Sequence, residues 1–200
     1  MIPAFTVRPF ALGRAAFTTL AFACLAGCGQ SSSPTSAPGT PPAPTTFALL
    51  EATVADVQAA FRGEQVGADG QTLNCVALAE LYLARIDALD NSTDTGLPIS
   101  SIVSLNPLWR EQAEALDATF DTSGPAGPLH CVPVLLKDLY DTFDFPTTAS
   151  SLALAGSQPP DDAFTVARLR EAGALILGKA GMSEYAYWTQ SFNSVSQRIG

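Results

Sequence analysis

Two side chains that dominate most enzyme sites are scarce here. The 200 residues contain one histidine, His130, which excludes multi-histidine metal sites, and no residue pattern calls for a metal or other cofactor. Lysine occurs only at Lys137 and Lys179; every other basic residue is arginine. Charged residues make up 14% of the chain, and 10 Lys+Arg stand against 19 Asp+Glu, a net charge of -9. That balance argues against nucleic acid or an anionic membrane surface as the main partner. Neither glycine nor charged helix formers dominate, so collagen and coiled coil are excluded, and no internal repeat is visible. What is present is apolar: 47% of residues are hydrophobic, enough to offset the entropy of ordering a core. The length suits one domain with appendages.

The appendages are N-terminal. Arg8 and Arg14 form a basic stretch without acids, and Ala15 to Ala26 is then apolar except for Thr18 and Thr19. Such a run is too short to span a bilayer and suits the core of a signal peptide. It closes on Leu25-Ala26-Gly27-Cys28, which resembles the bacterial lipoprotein signal, in which the cysteine is acylated. Ordinary secretory cleavage with Cys28 incidental is the alternative. Residues 1–27 are therefore read as a signal peptide and residues 28–46 as a Ser/Pro/Thr-rich tether. Five of the fifteen prolines fall within Ser31 to Thr45, a composition that cannot bury a core and favours an extended chain. The expectation is an exported protein held to the cell envelope through lipid on Cys28. In an oxidising compartment Cys75 and Cys131, left over after Cys24 and Cys28, can form a disulfide or stay as two buried thiols.

Residues 47–200 read as α/β, with N-terminal helices followed by the start of a mixed, largely parallel sheet sandwiched by helices. Thr53-Val54-Ala55-Asp56 predicts a capped helix with Val54, Val57 and Phe61 on one face, stopped by Gly63. A second helix is expected from Asn74, with Val76, Ala79, Leu83 and Ile86 flanked by Leu78, Tyr82 and Leu89. Ile102 to Leu105 predicts a strand, and Asn106-Pro107 opens a helix carrying Trp109, Ala113, Leu116 and Phe120 inward. Val132 to Leu136 and Ala174 to Leu177 are continuous apolar runs separated by a helix that Asp161 and Asp162 can cap and Gly173 closes. Strand, crossover helix and strand imply a βαβ unit with parallel strands. Ligands of such sheets sit beyond the carboxyl ends of the strands, where Lys137 and Lys179 fall. A buried lysine can lose its proton and act as a base, which arginine cannot. Lys137 is the better candidate, because Gly178 predicts an exposed turn at Lys179. An ion pair with Asp138, Asp141 or Asp144 is the structural alternative for Lys137.

Four blocks in order resemble the amidase signature family of C–N hydrolases: Gly127 to Asp138, Pro146 to Ser151, Asp161 to Lys179, and Met182-Ser183-Glu184-Tyr185-Ala186. The resemblance covers roughly residues 47 to 190. It implies a Ser–cis-Ser–Lys arrangement acting on a small-molecule amide, with Lys137 as the catalytic lysine, Asp138 as its structural neighbour, and Met182 and Ser183 near the substrate. Ser183 as a helix cap is the competing reading of that last pair. Both family serines lie in a Gly/Ser-rich segment downstream, so they are expected beyond Gly200 and the chain alone is expected to be inactive; Ser191, Ser194 and Ser196 lack that setting. Cys131, Ser150 and Gly181 depart from the family's usual Gly, Gly and Asn. The competing function is a non-catalytic, lipid-anchored binding or scaffold domain derived from the same fold.

Overall fold

The computed structural model describes residues 42–93, 98–187, 192–195 and 198–199. The signal peptide, Cys28, most of the tether, and Ser191 and Ser196 lie outside the described residues. Pairing begins within the tether sequence. Strand β1 (Thr45–Thr46) runs parallel to β2 (Gln65–Val66), with helix α1 (Val54–Phe61) between them. The capping box forms as the sequence suggests: Thr53 Oγ1 accepts from Asp56 N–H at 3.2 Å and the Asp56 carboxylate accepts from Thr53 N–H at 2.8 Å.

Helix α2 (Cys75–Ile86) starts where Asn74 Oδ1 accepts from Ala77 N–H at 2.8 Å. It continues into a π-helical turn, Asp87–Asn91. That turn changes the helical period and leaves Leu89 48% exposed, instead of beside the buried stripe. Buried Asp90 ties the turn to strand β3 (Ile102–Leu105) by accepting from Ser101 N–H at 2.7 Å and Ile102 N–H at 3.1 Å. Helix α3 (Trp109–Ser123) begins two residues after Pro107; Asn106 Oδ1 accepts from Leu108 N–H at 2.9 Å.

The βαβ unit comprises β4 (Pro133–Lys137), α4 (Phe164–Glu171) and β5 (Leu175–Ala180). The sheet order is β3-β5-β4, with β4 parallel and β3 antiparallel to the central β5. A short antiparallel pair, β6 (Phe192–Asn193) and β7 (Arg198–Ile199), follows. On one side of the sheet, Leu175, Leu177 and Cys131 pack with Cys75, Ala79 and Ala113 from α2 and α3. On the other side, Leu136, Phe145, Val166 and Ile176 pack around α4. Asp161 and Asp162 do not cap α4. Ala163 occupies the cap position, and the Asp162 carboxylate instead accepts from Arg170 Nε at 2.9 Å and Phe143 N–H at 3.2 Å. The guanidinium draws this carboxylate away from the helix end.

One irregularity sets the direction of the lysines. Val134 pairs with Ile176 but Leu135 pairs with Gly178, so Leu177 is an extra residue in β5. Glycine is required at 178, since a Cβ there would lie 2.6 Å from Ser104 O on β3. Beyond this bulge Leu136 pairs with Lys179 and Lys137 with Ala180. Side chains alternate along a strand and paired residues share a side, so the two lysines emerge on opposite sides of the sheet.

Candidate active site

Lys179 is not in an exposed turn. It lies within β5 and has no exposed surface, because the bulge turns it toward the α4 side. Its Nζ donates to Pro146 O at 2.8 Å and Thr147 Oγ1 at 2.5 Å, and sits 4.6 Å from the Phe145 ring centroid. Burial pushes its amine down to about 8 against the opposing pull of Asp138, Asp141, Asp144 and Asp162. The buried lysine anticipated from the sequence is thus Lys179, and Lys137, the last residue of β4, is exposed.

Lys137 Nζ donates to Gly181 O at 2.6 Å, across the ends of β4 and β5. Asp138 next to it is fully buried and organises the Pro146-to-Ser151 block. Its carboxylate accepts from Thr148 N–H at 3.1 Å, from Ser150 N–H at 2.8 Å and from the Thr148 hydroxyl, while its own carbonyl accepts from Ala149 N–H at 2.7 Å. These bonds hold Ala149 at φ 48° and Ser150 at φ 56°, in the left-handed region. The family's usual glycine at 150 fits that requirement, and a serine there retains the backbone while adding a hydroxyl. Ser150 Oγ accepts from Met182 N–H at 3.1 Å and Asn193 Nδ2 at 2.9 Å. Ser183 precedes a 3₁₀ turn, Glu184–Ala186, without a side-chain capping bond. Ser194 Oγ accepts from Leu152 N–H at 2.8 Å and donates to Ser150 O at 3.3 Å, bracing the loop. Sequence reasoning missed Asn193, for which no motif exists; only the return of the chain to the loop reveals it.

Leu135 shares a side of β4 with Lys137, and with Tyr82, Ile86, Leu89 and Ile99 it lines an open pocket of about 380 Å³.

Cys75 and Cys131 form a disulfide, with Cα atoms 5.2 Å apart. Cys131 has φ 58°, a second left-handed position where the family usually has glycine. His130 lies between Phe61 and Phe120, each 5.3 Å away by ring centroid, and burial holds its imidazole below the ordinary value. Its Nδ1 accepts from Ala126 N–H at 3.2 Å, which leaves the neutral ring's proton on Nε2, the nitrogen facing both sulfurs. The donor atoms of these three residues lie within 4.8 Å of one another, yet bonded sulfurs and a protonated Nε2 do not suit a metal ion.

The motif blocks therefore converge on one end of β4 and β5, and comparisons with known proteins bear on the family. A probable amidase of Arabidopsis thaliana is 41% identical over 148 residues, covering 72% of this chain and 26% of that protein. A glutamyl-tRNA(Gln) amidotransferase subunit of Thermobifida fusca is 38% identical over 146 residues, covering 73% and 27%. The native peptide amidase of Stenotrophomonas maltophilia superposes with a TM-score of 0.63 at 36% identity, covering 76% of this chain and 30% of that one. The chain thus spans about a quarter of the length of the curated relatives it matches. Residues 77–199 match the family described as Amidase, and the chain belongs to that family.

Proposed function

We propose that this chain is the lysine-bearing part of an exported, lipid-anchored amidase that hydrolyses a carboxamide to a carboxylic acid and ammonia or an amine. The carrying observation is the setting of Lys137. It stands at the carboxyl end of a parallel strand, donates to Gly181 O, and is next to a buried Asp138 that shapes the flanking loop. By the family pattern, the neutral amine accepts a proton through a bridging serine from a nucleophilic serine. The serine oxygen bonds to the amide carbonyl carbon, the C–N bond breaks, and the departing nitrogen takes the proton. Water then attacks the acyl-serine, releasing the acid and regenerating the hydroxyl. Both serines are assigned to the part of the relatives' length that these residues do not span, so the 200 residues alone are read as inactive. Met182 and Ser183 are assigned to the substrate side of the site, in keeping with the Met182 N–H bond to the Ser150 loop.

Envelope attachment rests on the sequence of residues 1–46. An acylated Cys28 would anchor the protein, each buried methylene contributing about 0.8 kcal/mol, and the proline-rich tether would hold the folded part away from the bilayer. Among the described residues no helix is long and apolar enough to cross a membrane.

The test is Lys137→Ala in the complete gene product. Turnover of a primary amide should fall by about 10³-fold or more. The melting temperature should hold, since the side chain is exposed and its described bond is to one carbonyl. Undiminished turnover in the variant sinks the mechanism.

A further inference from the structure

The room beside the glycine that holds Lys137 is already occupied. Gly181 O accepts from Lys137 Nζ at 2.6 Å and Gly181 N–H donates to Ser101 O at 2.6 Å, so both peptide groups of this residue are engaged. A Cβ at 181 would lie 3.2 Å from Asn193 Nδ2, 3.3 Å from Val103 Cγ2 and 3.4 Å from Ser101 O. Val103 and Ser101 come from β3 and the residue before it, whereas Asn193 comes from β6, further along the chain. Asn193 is 6% exposed. Its Nδ2 donates to Ser150 Oγ at 2.9 Å, the same oxygen that accepts from Met182 N–H at 3.1 Å. Its Oδ1 accepts from Val195 N–H at 3.0 Å, which fixes the orientation of the amide. A side chain at 181 and the amide of Asn193 therefore compete for one space, and Asn193 joins the two loops that flank Lys137.

We propose that Asn193 is a positioning residue for Lys137, its amide taking the place of the side chain absent at Gly181 and tying the Ser150 loop to Met182. The Gly181 carbonyl is thereby presented to the lysine ammonium. This rests on the reading of Lys137 as the base, although melting temperature and the lysine resonances respond to Asn193 whether or not Lys137 is the base.

The experiment is a reciprocal exchange: N193A, G181N and the double variant. Removing Asn193 takes a buried donor from Ser150 Oγ, and adding asparagine at 181 beside Asn193 overfills the space. In the complete gene product, each single variant should lower kcat for amide hydrolysis by tenfold or more, with KM changed less than twofold. The double variant should recover to within threefold of the parent. Melting temperatures should follow the same order. In the same protein labelled with ¹³C-lysine, the Lys137 and Lys179 ε-methylene signals are assigned by their loss in Lys137→Arg and Lys179→Met. The Lys137 signal should move in N193A and return in the double variant, while the Lys179 signal, on the other side of the sheet, stays. A double variant as impaired as the two singles combined overturns the proposal. So does an N193A protein that melts lower but retains the parental kcat and Lys137 signal, because Asn193 would then only pack the loops. A parent protein that turns over no amide defeats the reading of Lys137 as base, and the Lys137 signal still decides whether Asn193 positions it.

Discussion

Replacing Lys179 by methionine should change the pH dependence of stability more than stability itself. The ammonium has no exposed surface, and its partners are one carbonyl, one hydroxyl and the face of Phe145. Burial lowers the folded-state value from 10.5 to about 8, while the unfolded chain titrates near the ordinary value. Between these limits the unfolded state keeps a proton that the folded state has released, so stability rises with pH across that window. The penalty for burying the charged form is fully present below pH 8 and disappears above about pH 10.5. That displacement corresponds to about 3 kcal/mol. Methionine keeps most of the stem volume and removes the titration, but deprives Pro146 O of a buried donor at a cost of about 1–3 kcal/mol. Near pH 7 the two effects oppose each other and the variant should lie close to the parent. From about pH 7.5 to 11 the parent should gain about 3 kcal/mol on the variant, or about 6–12 °C in melting temperature. Urea unfolding of both proteins across that range, followed by tryptophan fluorescence, measures the difference, and every other group titrating there is common to both and cancels. Parallel stability curves would refute the account of Lys179.

Arg170→Ala should cost about 3–5 kcal/mol, because it leaves the buried Asp144 carboxylate without the guanidinium 2.8 Å away; adding Asp144→Asn should recover much of the loss, and a cost under about 1 kcal/mol by urea unfolding would contradict this. Reduction of the Cys75–Cys131 bond, whose cysteines are 56 residues apart, should remove about 4 kcal/mol of unfolded-chain restraint. A drop in melting temperature with dithiothreitol that is missing in Cys75→Ser checks it. Mass spectrometry of the exported protein should find Cys28 as an acylated N-terminal residue, and an unmodified N-terminus elsewhere defeats the anchor.

Local signals carried most of the element assignments. Ile102 to Leu105 forms β3 with the bounds its apolar, β-branched residues suggest, and Thr53 and Asn74 cap the helices they precede. These are short-range effects, written within four residues of where they act. Asp162 had the same local credentials, yet a guanidinium on the far end of α4 competes for it and wins. The candidate site was half legible for a similar reason. Lys137 and Asp138 stand inside a motif, but the bond from Lys137 to Gly181 spans 44 residues and exists only because β4 and β5 pair in one register. The burial of Lys179 was misread because a continuous apolar run ending in Gly-Lys carries no sign of a bulge. Glycine at 178 signalled close approach of β3, not the turn it resembles in sequence.

The extra residue at Leu177 has a consequence for how this strand can change. Side-chain facing in a strand is a parity, and a bulge that takes up one residue inverts it for everything downstream relative to a regular strand of the same sequence. Were β5 a regular strand with every residue kept, Lys179 would fall on the side that carries Lys137, the Phe145 and Thr147 cradle would be empty, and two cations would share one surface. Substitution at either lysine alters one group, whereas a change that straightened the bulge would exchange the inside and outside of the strand end; deleting Leu177 itself would leave Lys179 opposite Leu136. The bulge in β5, as much as its composition, keeps the two lysines in separate compartments of the fold.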